Sequence, residues 1–199
     1  MSERVRRAAL VIATAAAGWL VGGCSEQEGT PAAGASSAVV TDAATGLTWL
    51  RCALGQQWQE GRCTGEPLAL SQSDAHARVE ALNAERYQGI DRWRLPGIVE
   101  LAALRRCDHG LVADTFTLEF MAEQAPVEIQ RWCDKETTVP TIDAARFPDT
   151  PPMKFWSSSG SERHQVAYAV DFANAWIGIN EDSASLYAVR PVADPAPRR

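Results

Sequence analysis

The absences in this sequence narrow its chemistry first. Its three histidines, His76, His109 and His164, stand apart, with no H-E-x-x-H among them, and no two cysteines have C-x2-C spacing. A zinc centre of ordinary spacing is thereby excluded. The run "SSSG" at 157–160 is not the G-x-S-x-G of a nucleophile elbow, and no twelve-residue EF-hand loop occurs. No internal repeat and no Gly-X-Y run is present, so solenoids and collagen-like stalks are ruled out. Basic residues are outnumbered, 19 against 25, for a net charge of −6, a poor balance for nucleic acid. The chain is therefore expected not to be an enzyme, with no catalytic residues, no cofactor and no metal.

Long apolar runs are also missing, with one short exception at the start. After Arg4, Arg6 and Arg7 comes "AALVIATAAAGWLVGG", Ala8 to Gly23. Sixteen residues at about 1.5 Å each fall short of the roughly 20 needed for a permanent span. A basic start and a short apolar run of small residues is the layout of a secretory signal peptide. Its end, Val21-Gly22-Gly23-Cys24, resembles a bacterial lipobox, which implies lipid on the Cys24 thiol and cleavage just before it, with residues 1–23 removed. Two or three acyl chains, at about 0.8 kcal/mol per buried CH₂, anchor stably where one is marginal. By resemblance to lipoprotein sorting in Gram-negative bacteria, Ser25 implies an outer membrane lipoprotein, on the periplasmic face or the cell surface. Its expected partners are the membrane, through the lipid anchor, and a glycan or envelope protein, with no nucleic acid.

Without residues 1–23 the chain loses three Arg and one Glu, leaving 16 basic and 24 acidic residues, net −8. The segment 24–37, from Cys24 through "SEQEGTPAAGASS", has no apolar period and reads as a flexible tether. Its thirteen residues after the cysteine reach about 20 Å. A domain is expected at 38–193 and a disordered tail at 194–199, with fraying from Ala193.

Cys24 leaves four cysteines, Cys52, Cys63, Cys107 and Cys133. In an oxidising compartment an even count reads as disulfides, and Cys52–Cys63 with Cys107–Cys133 is the simplest of three connectivities.

Along the domain, two β-rich runs, Ala38 to Thr41 and Leu47 to Cys52, flank the turn "DAATG" and predict a hairpin. Ser71 with Asp74 opens a helix carrying Ala75, Val79 and Leu82, with Gly89 just past its end. A second helix follows "RWRLPG" with Ile98, Leu101 and Ala102 as its apolar stripe. The stretch Asp108 to Pro152 predicts loops and short helices. Alternation in "QVAYAVDF" and "SLYAVRPV", with "WIGIN" between, predicts a late meander. The fold class is α+β, an antiparallel sheet with two helices packed on one side, stapled by disulfides.

Five motifs occur in order: Thr45 to Trp49, Trp93 to Leu101 ("WRLPGIVEL"), Trp156 to Ser158, Ala175-Trp176 and Val189-Arg190. Together they resemble the Lcl C-terminal domain family, long catalogued as a domain of unknown function, over nearly all of 38–193. The resemblance implies a C-type-lectin-like α+β fold on secreted and surface proteins of bacteria. The family takes its name from a collagen-like adhesin whose C-terminal module trimerises and binds sulfated polysaccharides. This chain has no such stalk, and its acidity opposes a polyanion. Formylglycine-generating enzymes, remote relatives of the same fold, use reactive cysteines, whereas all four here are expected in bridges.

Of the motif residues, Trp49, Trp93, Trp156 and Trp176 are expected in the core. Arg94 and Arg190 are expected to pair with carboxylates such as Glu100 or Asp171. Trp58, in the patternless "GQQWQEGR" inside the Cys52–Cys63 loop, is a candidate ligand contact. Arg105 and Arg106 form a candidate basic patch, set against a solvated helix end. Oxygens of "INEDS" at 179–183 and of Asp171 read as an acidic solvated turn ahead of bound calcium. The expected function is a membrane-anchored lipoprotein with an extracytoplasmic binding module for glycans or other surface polymers. Its loops around Trp58 and from His109 to Pro152 would make the contact. The competing expectation is a non-catalytic structural subunit of an envelope assembly.

Overall fold

A computed structural model describes residues 37–118, 127–161 and 166–196. The expectations for the signal segment, Cys24 and the tether, as for His164, lie outside these residues. The described residues fall within one compact unit, mostly β and antiparallel, with few helices.

The first hairpin joins β1 (Val39–Thr41) and β2 (Thr48–Leu50), with Val39 opposite Leu50. Asp42 makes its turn, Oδ1 accepting from the Ala44 and Thr45 N–H groups, while Gly46 takes φ +73°. "GQQWQEGR" is itself a hairpin, β3 (Gln57–Gln59) and β4 (Arg62–Thr64). Glu60 and Gly61 both have positive φ, the geometry of a tight two-residue turn, which the polar composition did not announce.

Helix α1 (Gln72–Ala84) starts as expected, with Ser71 Oγ accepting from the Asp74 N–H. The reciprocal bond differs, since Ser71 Oγ also donates to Asp74 Oδ2. After β5 (Trp93–Arg94), helix α2 (Ile98–Ala102) is only five residues long. Its start is satisfied by Glu100 Oε2, which accepts from the Gly97 N–H, and by Ser159 Oγ, which accepts from the Ile98 N–H.

The stretch expected to be loops and short helices contains a ribbon instead, β6 (Thr115–Leu118) paired with β7 (Val127–Gln130). Strands β8 (Lys154–Ser161), β9 (Val166–Asp171) and β10 (Trp176–Glu181) form a sheet with β9 central. Only Val192–Ala193, β11, remains of the last expected strand, between β2 and β5. Upstream of it, Tyr187 and Ala188 make single bridges to Leu70 and Phe155, because that segment divides its hydrogen bonds between two neighbours. Ala193 is fully buried, and Asp194 holds Arg94 at 2.7 Å, so the fraying expected from Ala193 does not begin there.

Two buried clusters lie on the two faces of β9. Tyr168 and Val170 join Trp49, Phe155 and the α2 residues Ile98 and Leu101. Ala167 and Ala169 join Trp93, Trp156 and the α1 residues Val79 and Leu82. Side chains alternate across a strand, so the two helices serve opposite faces, not one side as expected. The small alanines leave room for Trp156, whose indole N–H donates to Leu70 O at 2.7 Å. Both disulfides have the local pairing, Cys52–Cys63 and Cys107–Cys133.

Candidate binding site

The site is organised around Arg105, which directly follows the turn at the end of α2. The residue is 6% exposed. Its Nε donates to Ala102 O at 3.0 Å and its Nη1 to Gln130 O at 2.9 Å and Ala175 O at 2.8 Å, with Arg131 O more distant at 3.4 Å. One guanidinium thus ties the end of β7 to the turn before β10. The ladder continues above it, where the Ile177 N–H donates to Arg131 O at 3.1 Å. Burial pushes the Arg105 pKa down to about 10.

These ties place two tryptophans side by side. Trp132 and Trp176 are stacked, with ring centroids 5.1 Å apart and planes inclined by 7°. They are 37% and 39% exposed, far from the core value of the other motif tryptophans. Such a pair contributes about 0.5–1.5 kcal/mol beyond area burial. The Arg131 guanidinium lies 4.4 Å from the Phe116 centroid and 5.9 Å from that of Trp176, extending the stack inward.

The backbone around each ring is fixed independently. Trp132 O accepts from the Val112 N–H, and the next residue forms the Cys107–Cys133 bridge. Trp176 follows Ala175, which is buried at φ +62°, a conformation unfavourable by about 1–2 kcal/mol for a residue with a Cβ. Asn174 Oδ1 accepts from the Trp176 N–H, and Asp171 Oδ1 from the Ala173 N–H, closing that turn. Asp108 accepts from the Thr138 N–H and hydroxyl, and those bonds hold its carboxyl below the usual range. The rings border a groove of about 570 Å³ whose rim carries Lys135, Glu136, Thr137 and Asn174. A stacked aromatic pair along a groove that also carries polar groups suits a ligand having an apolar face and a hydrogen-bonding edge.

Several expectations are corrected here. Arg105 is not part of a surface basic patch, because its donors face carbonyls. Arg106 is exposed, as a solvated helix end requires, with Nη1 donating to Ala103 O and Arg105 O. Trp176 is not in the core, whereas Trp49, Trp93 and Trp156 are. Among the described residues Arg190 has no carboxylate partner: fully buried, it donates to Leu50 O, Arg51 O and Thr150 Oγ1, and Asp171 is used in its own turn. Arg94 does form the expected fork with Glu100, at 2.7 and 2.8 Å. Burial would raise the Glu100 pKa, but the Arg94 and Gly97 bonds outweigh it and hold the carboxyl low.

Trp58 is half-buried opposite Cys63, with the Arg51 guanidinium 5.4 Å from its ring. It borders a different concavity, about 240 Å³, with Leu82, Tyr87, Arg78 and Glu85. In "INEDS", Glu181 pairs with Lys154 at 2.6 Å and accepts from the Tyr187 hydroxyl, while Asp182 closes a turn on Ala184. No group of three His, Cys, Asp or Glu that could hold a metal occurs among the described residues. The sequence placed Trp132 within the expected contact stretch His109 to Pro152 without singling it out. Its one local signal was a large aromatic beside a bridged cysteine, outside any apolar period.

Neither a curated protein nor a solved structure matches the chain. The sequence profile of the Lcl C-terminal domain matches residues 38–193, the span that carries the five ordered motifs and all but the ends of the described fold. The chain therefore belongs to the Lcl C-terminal domain family.

Proposed function

We propose that this chain is an outer membrane lipoprotein, acylated at Cys24, whose domain is an extracytoplasmic binding module for glycans or other surface polymers. The observation that carries the binding reading is the exposed Trp132–Trp176 stack, whose flanking backbone is tied by the buried Arg105, while the lipid anchor rests on the resemblance of Val21-Gly22-Gly23-Cys24 to a lipobox. Leaving two large aromatics half in water forgoes burial worth about 1.5–3 kcal/mol for a large apolar side chain, a pattern that marks contact sites. Two disulfides are compatible with an oxidising compartment. A remote relationship to C-type-lectin-like domains belongs to the same proposal and rests on the motif resemblance. No catalytic role is assigned.

The test uses the full chain, exported and oxidised, purified in detergent. Mass spectrometry should find acyl chains on Cys24, absent in Cys24→Ser. Glycan and envelope-polymer arrays should show binding that is lost on Trp132→Ala and Trp176→Ala. Silence of the folded chain across all arrays, together with co-purification of a stoichiometric partner, would favour the structural-subunit alternative. The exposed Leu186 and Val99 would then be the apolar contacts to examine.

A further inference from the structure

The charges around the tryptophan groove bear on which ligands it can hold. The cations close to it in sequence are engaged. Arg105 is buried on carbonyls, Arg106 donates to the end of its own helix, and Arg131 lies against Phe116 and Trp176. The titratable groups on the rim are Lys135 and Glu136, which cancel. Asp134, exposed on the same segment, and the net charge of −6 oppose a polyanion further. A purely apolar ligand fits no better, since it would strip water from Lys135, Glu136, Thr137 and Asn174 without replacing it.

We infer that the groove binds an uncharged saccharide, with the C–H face of a pyranose ring against the exposed side of the indole stack and its hydroxyls toward Asn174 and the Lys135/Glu136 pair. Asn174 has the means to discriminate. Its Oδ1 is committed to the Trp176 N–H, which orients the amide and leaves its NH₂ to donate to a sugar oxygen. The volume, about 570 Å³, lies within the roughly 300–1,000 Å³ of small-molecule sites and admits a short oligosaccharide. The inference rests on the binding reading above and narrows it, because a neutral ligand is held by stacking and hydrogen bonds that salt barely screens.

The experiment titrates the full oxidised chain with neutral hexaoses (cello-, malto-, manno- and chitohexaose) and with heparin as the sulfated probe, at low and at physiological salt. The expected result is binding to at least one neutral probe that changes less than about twofold with salt. It should weaken at least about tenfold in Trp132→Ala and Trp176→Ala, and be partly retained in Trp132→Phe, which keeps a ring at the stack. Trp58→Ala should leave it unchanged. Binding confined to heparin, weakened by salt and by Lys135→Gln, would overturn the inference while leaving the groove a binding site. Neutral binding untouched by both tryptophan variants would overturn it too. No saccharide binding by chain with intact disulfides would remove both this inference and the glycan reading beneath it.

Discussion

Replacing Arg105 by alanine tests whether one buried guanidinium organises the tryptophan pair. Three good bonds, at 2.8, 2.9 and 3.0 Å, would be lost. Bonds to a charged donor contribute about 1.5–3 kcal/mol each, so a gross loss of roughly 5–9 kcal/mol is set against relief of a desolvation penalty of several kcal/mol. Water entering the vacated space re-solvates some carbonyls. The expected net loss is about 3 kcal/mol, a large share of the 5–15 kcal/mol that stabilises an ordinary domain. Arg105→Met fills most of the space but donates nothing, and should lose about 2 kcal/mol. Arg106→Ala, in water, should stay within about 0.5 kcal/mol. Urea unfolding followed by tryptophan fluorescence gives the stabilities, and near-UV circular dichroism of the native state reports the stacked indoles directly. The Ala and Met variants should lose that signal even where they remain folded. If Arg105→Met matched the parent in both measurements, the guanidinium would not be what holds the two segments together.

Three further outcomes follow from the same geometry. Cys107→Ser with Cys133→Ser opens a bridge of sequence separation 26, worth about 3.5 kcal/mol in the chain-entropy model; thermal melting of the double variant against the parent, both without reductant, should agree with that figure and show a mobile Trp132. The carboxyls of Asp42, Glu100, Asp149 and Asp194 all sit below their usual pKa, so their stabilisation is complete above about pH 4–5 and is lost as pH falls through the folded values. Stability measured from pH 6 down to pH 3 should therefore decline, and Arg94→Met, which removes the partner of Glu100 and Asp194, should flatten part of that slope. A Cβ on Gly178 would collide with Glu181 Oε1, so Gly178→Ala should displace Glu181 from Lys154 and lose about 1–2 kcal/mol. In a Glu181→Ala background the same change should be nearly neutral, and an equal loss in both backgrounds would contradict the steric account.

Much of this protein was decided within short stretches of sequence. The hairpin around Asp42 and Gly46, the Ser71 cap with Ala75, Val79 and Leu82 behind it, and the Arg94–Glu100 fork six residues apart are local arrangements. Their causes, turn chemistry, capping and helical period, act over a few residues, which is why they were legible. The same holds for the short-range disulfide pairs. Tertiary structure alone decided the rest. Arg105 looked like surface charge because nothing near it in sequence shows that carbonyls of Gln130 and Ala175 will converge on it. Arg190 looked like half of an ion pair, yet it bonds to backbone and Thr150. Trp176 shared the motif character of three core tryptophans, but its position after the left-handed Ala175 turns it out to meet Trp132. Which face of β9 met which helix was equally hidden, since alternation states that two faces differ and not what will cover each of them. A residue's type and neighbours set what it can bond to; only the folded chain sets which of those partners arrives.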